Sequence, residues 1–151
     1  MRITAKSDYA IRALLELAVA DGAMLTCDHI ADQQKIPSKF LGAILTDLRR
    51  AGLISSHRGA EGGFRLARPA GEITVADVIR VVDGPLASVY GHRPQDVEYQ
   101  GSAVVLQPLW VAVRANLRAV LENVTLAHLA AGRLPESVGR LTEDDEAWKD
   151  H

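Results

Sequence analysis

The 151-residue sequence predicts a mainly α-helical protein, a winged helix-turn-helix followed by a long dimerisation helix. Three observations lead there. Residues 8–50 carry three apolar stripes of helical period, and two short strand-like segments flank a glycine-bearing tip at Arg58-Gly59-Ala60-Glu61-Gly62. Residues 105–131 then carry an apolar repeat whose steps alternate between four and three.

The first helix is expected over Asp8–Ala20, with apolar positions 11, 14, 15, 18 and 19 on one face and Gly22 as its stop. Thr26 caps a short second helix that has Asp28 in its first turn, turns Ile30 and Ala31 inward and runs out near Lys35. After the tight connection Ile36-Pro37-Ser38, residues Phe40, Leu41, Ile44, Leu45 and Leu48 stripe a third helix over 37–50 toward the core, with Gly52 just past its end. The period then shortens, and 53–57 and 63–67 read as the two strands of a hairpin. Thr74 and Asp77 form a capping box for a fourth helix that turns Val75, Val78, Ile79 and Val82 inward and stops at Gly84.

Residues 1–84 thus form the winged domain, and 85–104, which have no sustained period, a loop. Leu106, Trp110, Val113, Leu117, Val120 and Val124, continued by Ala127 and Ala131, make the seam of a helix over 105–131. At 1.5 Å per residue that helix would extend about 40 Å, more than so small a domain can bury, so a second copy is expected on its seam. The tail 132–151, with Glu143-Asp144-Asp145-Glu146, is acidic and expected to be mobile.

Composition narrows the function. Hydrophobic residues make up 48% of the chain, enough for a packed core. Uninterrupted apolar runs are only a few residues long and the first residues lack the apolar stretch of a signal peptide, so no membrane segment and a cytoplasmic location are expected. The single cysteine, Cys27, can make neither an internal disulfide nor a multi-thiolate metal site. No Ser/His/Asp arrangement, phosphate loop or paired carboxylates stand out, so an enzyme is not expected.

The formal net charge of −2 conceals an asymmetry. Residues 35–68 hold seven basic residues against two acids, a net of +5, and local charge decides where a phosphate backbone docks. The partner expected is double-stranded DNA. In a helix-turn-helix the second helix enters the major groove, which here turns Ser38, Lys39, Gly42, Ala43 and Thr46 outward. Ser38 and Lys39 donate to phosphates or bases, and Ala43 and Thr46 offer apolar contact to a thymine methyl. His57, Arg58 and Gly59 lie on a thin projection suited to a minor groove, while Lys6, Arg49 and Arg50 are candidate phosphate contacts. Two alternatives stay open at this point. One is a protein-interaction module that pairs through the long helix; the other is a regulator with an unusual cluster or a thiol sensor.

The opening Arg2-Ile3-Thr4-Ala5-Lys6-Ser7-Asp8-Tyr9-Ala10, then Ala51-Gly52-Leu53-Ile54, Arg58-Gly59, Gly62-Gly63-Phe64 and Gly84-Pro85-Leu86, resemble the Rrf2 family of bacterial regulators over nearly all of 1–131. The resemblance implies a homodimer on a near-palindromic operator, with repression the expected outcome. Cluster-binding members carry three cysteines in the loop before the long helix. This loop has none, with Tyr90, His92 and Glu98 in the region and Gln107-Pro108 where some members place a histidine. Asp8, a ligand in some relatives, here can pair with Arg12. No standard iron–sulfur cluster is therefore expected.

Cys27, in the first turn of the second helix, is a candidate redox sensor because a helix N-terminus lowers a thiol pKa; the alternative is a small core filler. His29 and His92 have no metal-site spacing. Trp110, Tyr90 and Tyr99 could line a pocket for a small-molecule effector, Trp110 otherwise packing the dimer.

Overall fold

The computed structural model describes residues 2–150. Thr4 caps α1 (Ala5–Val19), its hydroxyl accepting from the Ser7 N–H at 3.0 Å, so the helix begins three residues earlier than its apolar stripe suggests. Thr26 caps α2 (Cys27–Gln34) in the same way, and Lys35 ends it in the left-handed conformation. α3 (Ser38–Arg50) follows directly. β1 (Ile54–His57) and β2 (Gly63–Leu66) pair antiparallel, Ile54 with Leu66 through His57 with Gly63. The capping box of Thr74 and Asp77 opens α4 (Val75–Asp83), and Gly84 closes it with φ +86°. Helices, hairpin and fourth helix together are the expected winged helix-turn-helix.

One core joins the helices. Ala10, Ala13, Leu14 and Leu17 of α1 meet Ile30, Leu41, Ile44, Leu45, Leu48, Ile54, Ile73 and Val78, all essentially removed from water. The buried face of α1 is thus rotated from the expected stripe. Val19 is exposed, and Ile11, Leu15 and Ala18 are only half-buried, because α1 is crossed by α3, α4 and α6, and its alanines let these come close. Phe40 also departs from expectation. It lies about 100° around α3 from Leu41, at the edge of the buried stripe, and 66% of it is exposed.

The long helix is shorter than its repeat. α5 (Leu106–Leu121) ends at Glu122, and after a turn the chain re-enters the core as α6 (Leu126–Ala130). Thr125 caps α6 in a reciprocal pair with His128: the Thr125 hydroxyl accepts from the His128 N–H at 3.2 Å and His128 Nδ1 accepts from the Thr125 N–H at 3.1 Å. The crossing segment pairs with the start of α4 through Val75 N–H to the Val124 carbonyl and Leu126 N–H to the Ile73 carbonyl, both 2.9 Å. Val124 is therefore buried within its own chain, in a second cluster with Val75, Ile79 and Leu86, and not on a free seam.

The tail is structured too. Val138 of α7 (Glu136–Gly139) joins that second cluster, and Trp148 Nε1 donates to the Thr142 carbonyl at 2.8 Å. Val138 seats α7 on the body, while residues 140–150 are exposed. By length and composition the stretch Gly101–Leu121 also meets the requirement for crossing a membrane, which short apolar runs had argued against.

Candidate nucleic-acid interface

Four buried side chains, Leu41, Ile44, Leu45 and Leu48, set the rotation of α3 about its axis. The opposite face is consequently presented to solvent. Ser38, Lys39, Phe40, Ala43, Arg49 and Arg50 are exposed, and Thr46 is half-buried with its hydroxyl donating to the Gly42 carbonyl at 3.0 Å. With that hydroxyl engaged, the methyl of Thr46 is what remains for an outside partner. Gly42 is open to solvent where a side chain would begin. Phe40 was missed as a surface residue; its position one step before the first buried leucine is the signal that would have found it.

The wing is stitched to the body at two places. Leu25 pairs with Phe64 through two backbone hydrogen bonds of 2.9 and 2.7 Å, extending the hairpin by a third segment that the sequence reading did not include. Arg49 Nη1 reaches Ser56 Oγ at 3.4 Å. Gly63 allows the close approach to Leu25, since a Cβ there would lie 2.6 Å from the Leu25 carbonyl oxygen, while Gly62 tightens the wing itself, where a Cβ would lie 2.3 Å from the His57 carbonyl oxygen. The tip residues His57, Arg58 and Gly59 are exposed as expected.

Lys6 takes a different place from the one expected of a free phosphate contact. Its Nζ lies 2.9 Å from Asp47 Oδ2, tying α1 to the outer side of α3. The hydrogen bond and the charge of Lys6 hold the Asp47 carboxyl below the usual carboxylate range. Asp8 pairs with Arg12 at 3.0 Å.

Cys27 is half-buried with Sγ 3.9 Å from the Ser38 carbonyl. Burial, and then the charge of Asp28, push its thiol pKa up, opposite to the effect expected of a helix N-terminus. A raised pKa keeps the thiol protonated and poorly nucleophilic. His29 and His92 are exposed, and among the described residues no three His, Cys, Asp or Glu side chains converge on a metal position.

The loop and α5 form an open recess of about 440 Å3 against α1 and α4. Trp110, Val113 and Leu117 line it, Val120 and Leu121 pack on the second cluster, and Leu106 is half-buried. Of the seam read from the sequence, Val124 is buried and Val120 packed within the protomer, while Leu106, Trp110, Val113 and Leu117 remain half-buried. Tyr90 points away, 91% exposed.

A family model described as an iron-dependent transcriptional regulator, Rrf2, matches residues 3–132. The chain belongs to the Rrf2 family. Two Mycobacterium tuberculosis strains carry a relative named as an HTH-type transcriptional regulator, 49% identical over 97% of this chain and 92% of theirs. CymR of Bacillus subtilis is 33% identical over 87% of this chain and 91% of its own. Its solved structure, titled the global cysteine regulator, superposes with a TM-score of 0.75 over 87% of this chain and 98% of that one. The solved IscR of T. potens aligns with all of this chain and 93% of its own at 28% identity and TM-score 0.67. This Rrf2 member is thus a transcriptional regulator of winged-helix fold. The family's iron is a poor match to its donors. Residues 85–104 hold no cysteine, and among the described residues no three His, Cys, Asp or Glu side chains, His92 and Glu98 included, converge on a metal position. A cluster needs four soft or nitrogen ligands, and this loop does not offer them.

Proposed function

We propose that the chain is a homodimeric repressor, acting in the cytoplasm on a near-palindromic operator without an iron–sulfur cluster. The observation that carries this reading is that the exposed face of α3 and the exposed wing tip belong to one packed domain, the wing tied to α3 by Arg49–Ser56 and to the α1–α2 connection by Leu25–Phe64. Ser38, Lys39, Ala43 and Thr46 meet base edges and phosphates in the major groove, with Phe40 beside them. Arg58, with His57 and Gly59, follows the adjacent minor groove, while Arg49 and Arg50 lie at the backbone. Lys6 acts through Asp47, setting the position of α3.

The dimer forms on the face of α5 that its own chain leaves bare. Val105 and Leu109 are 61% and 47% exposed, and Ala112, Asn116 and Ala119 continue the same stripe. Small residues there permit close helix approach, and a second copy suits this face better than lipid because Arg114 and Arg118 lie within the apolar stretch. An apolar effector of this chain would occupy the 440 Å3 recess beside Trp110.

The test is a titration of full-length protein on the promoter beside its own gene across a range of salt. Tighter binding than to random DNA, with log affinity falling steeply against log salt, is expected. Arg58→Ala costs about 1–3 kcal/mol and raises transcription from that promoter. Equal affinity for both DNAs would end the proposal, and a monomer by light scattering would end its dimeric form.

A further inference from the structure

We propose that a compact oxyanion, a phosphoryl or carboxylate group of a small metabolite, binds between Arg80, Arg93 and Arg114. These three arginines, with Gly84, Pro85 and Leu86, wall a recess of about 230 Å3 where α4, the following loop and α5 meet. No carboxylate is in its walls. Glu122 is committed elsewhere, accepting from Arg80 and from Arg118, and Asp77 lies 3.8 Å from Arg80. Arg80 is thus neutralised, whereas Arg93 and Arg114 have no acidic partner among the described residues.

Arg114 supplies the second, independent observation. Its Nη1 donates to Gln95 Oε1 at 2.8 Å, and its Nε–H is buried without an acceptor, so a ligand in the recess pairs with it only once the side chain turns outward. Buried donors of charged groups are almost always paired, because an unpaired one forfeits its hydration without return. A carboxylate or phosphoryl group presents the paired oxygens that a guanidinium fork takes, and an anion between the cations also relieves their mutual repulsion. The carbonyl end of α4 adjoins the recess and opposes an anion only by a fraction of a full charge.

Arg93 belongs to the loop that follows the winged domain and Arg114 to α5, so an anion shared between them braces that loop against the long helix, with Arg80 on the α4 side of the recess. On the dimeric reading above, that brace sets the separation of the two α3 helices and couples anion level to operator affinity.

Binding itself is measured without DNA, so its failure and failure of the operator reading are separate results. Full-length protein is titrated calorimetrically with inorganic phosphate and with succinate at constant ionic strength in chloride. Saturable heat for one anion per protomer is expected. Arg114→Gln and, on the exposed loop, Arg93→Gln each weaken it about tenfold or more while circular dichroism stays unchanged. A response to phosphate alone assigns the site to phosphoryl groups, and one to succinate alone assigns it to carboxylates. No saturable heat, unchanged affinity in both variants, or loss of the heat in Arg58→Ala instead would overturn the proposal. It is equally overturned if neutralising Glu143, Asp144, Asp145 and Glu146 together both breaks the dimer in light scattering and strengthens phosphate binding. The recess would then be the seat of a second copy's acidic tail.

Discussion

Replacing Gly63 by alanine places the smallest possible side chain at the joint between wing and body. The new Cβ would lie 2.6 Å from the Leu25 carbonyl oxygen and 2.7 Å from its carbon, both backbone atoms that cannot rotate aside. The residue also has φ +144°, a conformation that costs a non-glycine residue about 1–3 kcal/mol. Relieving the overlap parts Leu25 from Phe64 and weakens two hydrogen bonds of 2.9 and 2.7 Å, each contributing about 0.5–1.5 kcal/mol. The expected loss is about 2–5 kcal/mol, a large part of a typical domain's stability. Urea denaturation followed by circular dichroism measures it. Gly42→Ala is the matched control: its Cβ meets nothing within 4 Å, and alanine is the better helix former by about 1 kcal/mol. It should stabilise the fold, yet weaken operator binding if DNA comes close at Gly42. A Gly63→Ala protein within about 0.5 kcal/mol of the parent would refute the view that Leu25 and the wing form one unit.

Leu126→Ala should destabilise by about 2–5 kcal/mol in the same assay, because Leu126 is fully buried, whereas Leu109→Ala should leave the protomer within about 0.5 kcal/mol and act on the dimer dissociation constant instead. Cys27 should react with iodoacetamide at neutral pH more slowly than a free thiol; faster reaction would restore its candidacy as a redox sensor. The Asp47 carboxyl is lowered by Lys6, and that of Glu122 by Arg118 and Arg80. Because the folded pKa values lie below the unfolded ones, the stabilisation is present above the ordinary carboxylate range of roughly 4 and is lost as pH falls through the folded values. Lys6→Met should therefore differ from the parent at neutral pH and converge with it in acid, as urea midpoints would show.

What the amino-acid order determines by itself is local. Thr26, Thr74 with Asp77, Gly52 and Gly84 mark helix ends because capping is settled by groups three or four residues apart, and all four lie where expected. The inward stripe of α3 is equally legible, since one strongly amphipathic face decides its rotation, and with it the exposure of Ser38, Lys39 and Ala43. The wing follows from its glycines. Thr125 and His128 also carried a legible stop signal, but histidine is an uncommon third-position partner in a capping box and the apolar repeat runs straight through it.

The remaining features needed the tertiary structure. A repeat of fours and threes states which side chains share a face and is silent on what that face meets. Trp110, Val113 and Leu117 therefore read as one stripe in the sequence, and only the fold shows that they line a recess against α1 and α4. Lys6 pairs with a residue 41 positions away, Leu25 with the wing, and Arg80 stands beside Arg93 and Arg114, none of which any local rule relates. Periodicity orders residues around one axis; only packing several axes together decides which face is buried, which charge is neutralised and which is left for a partner.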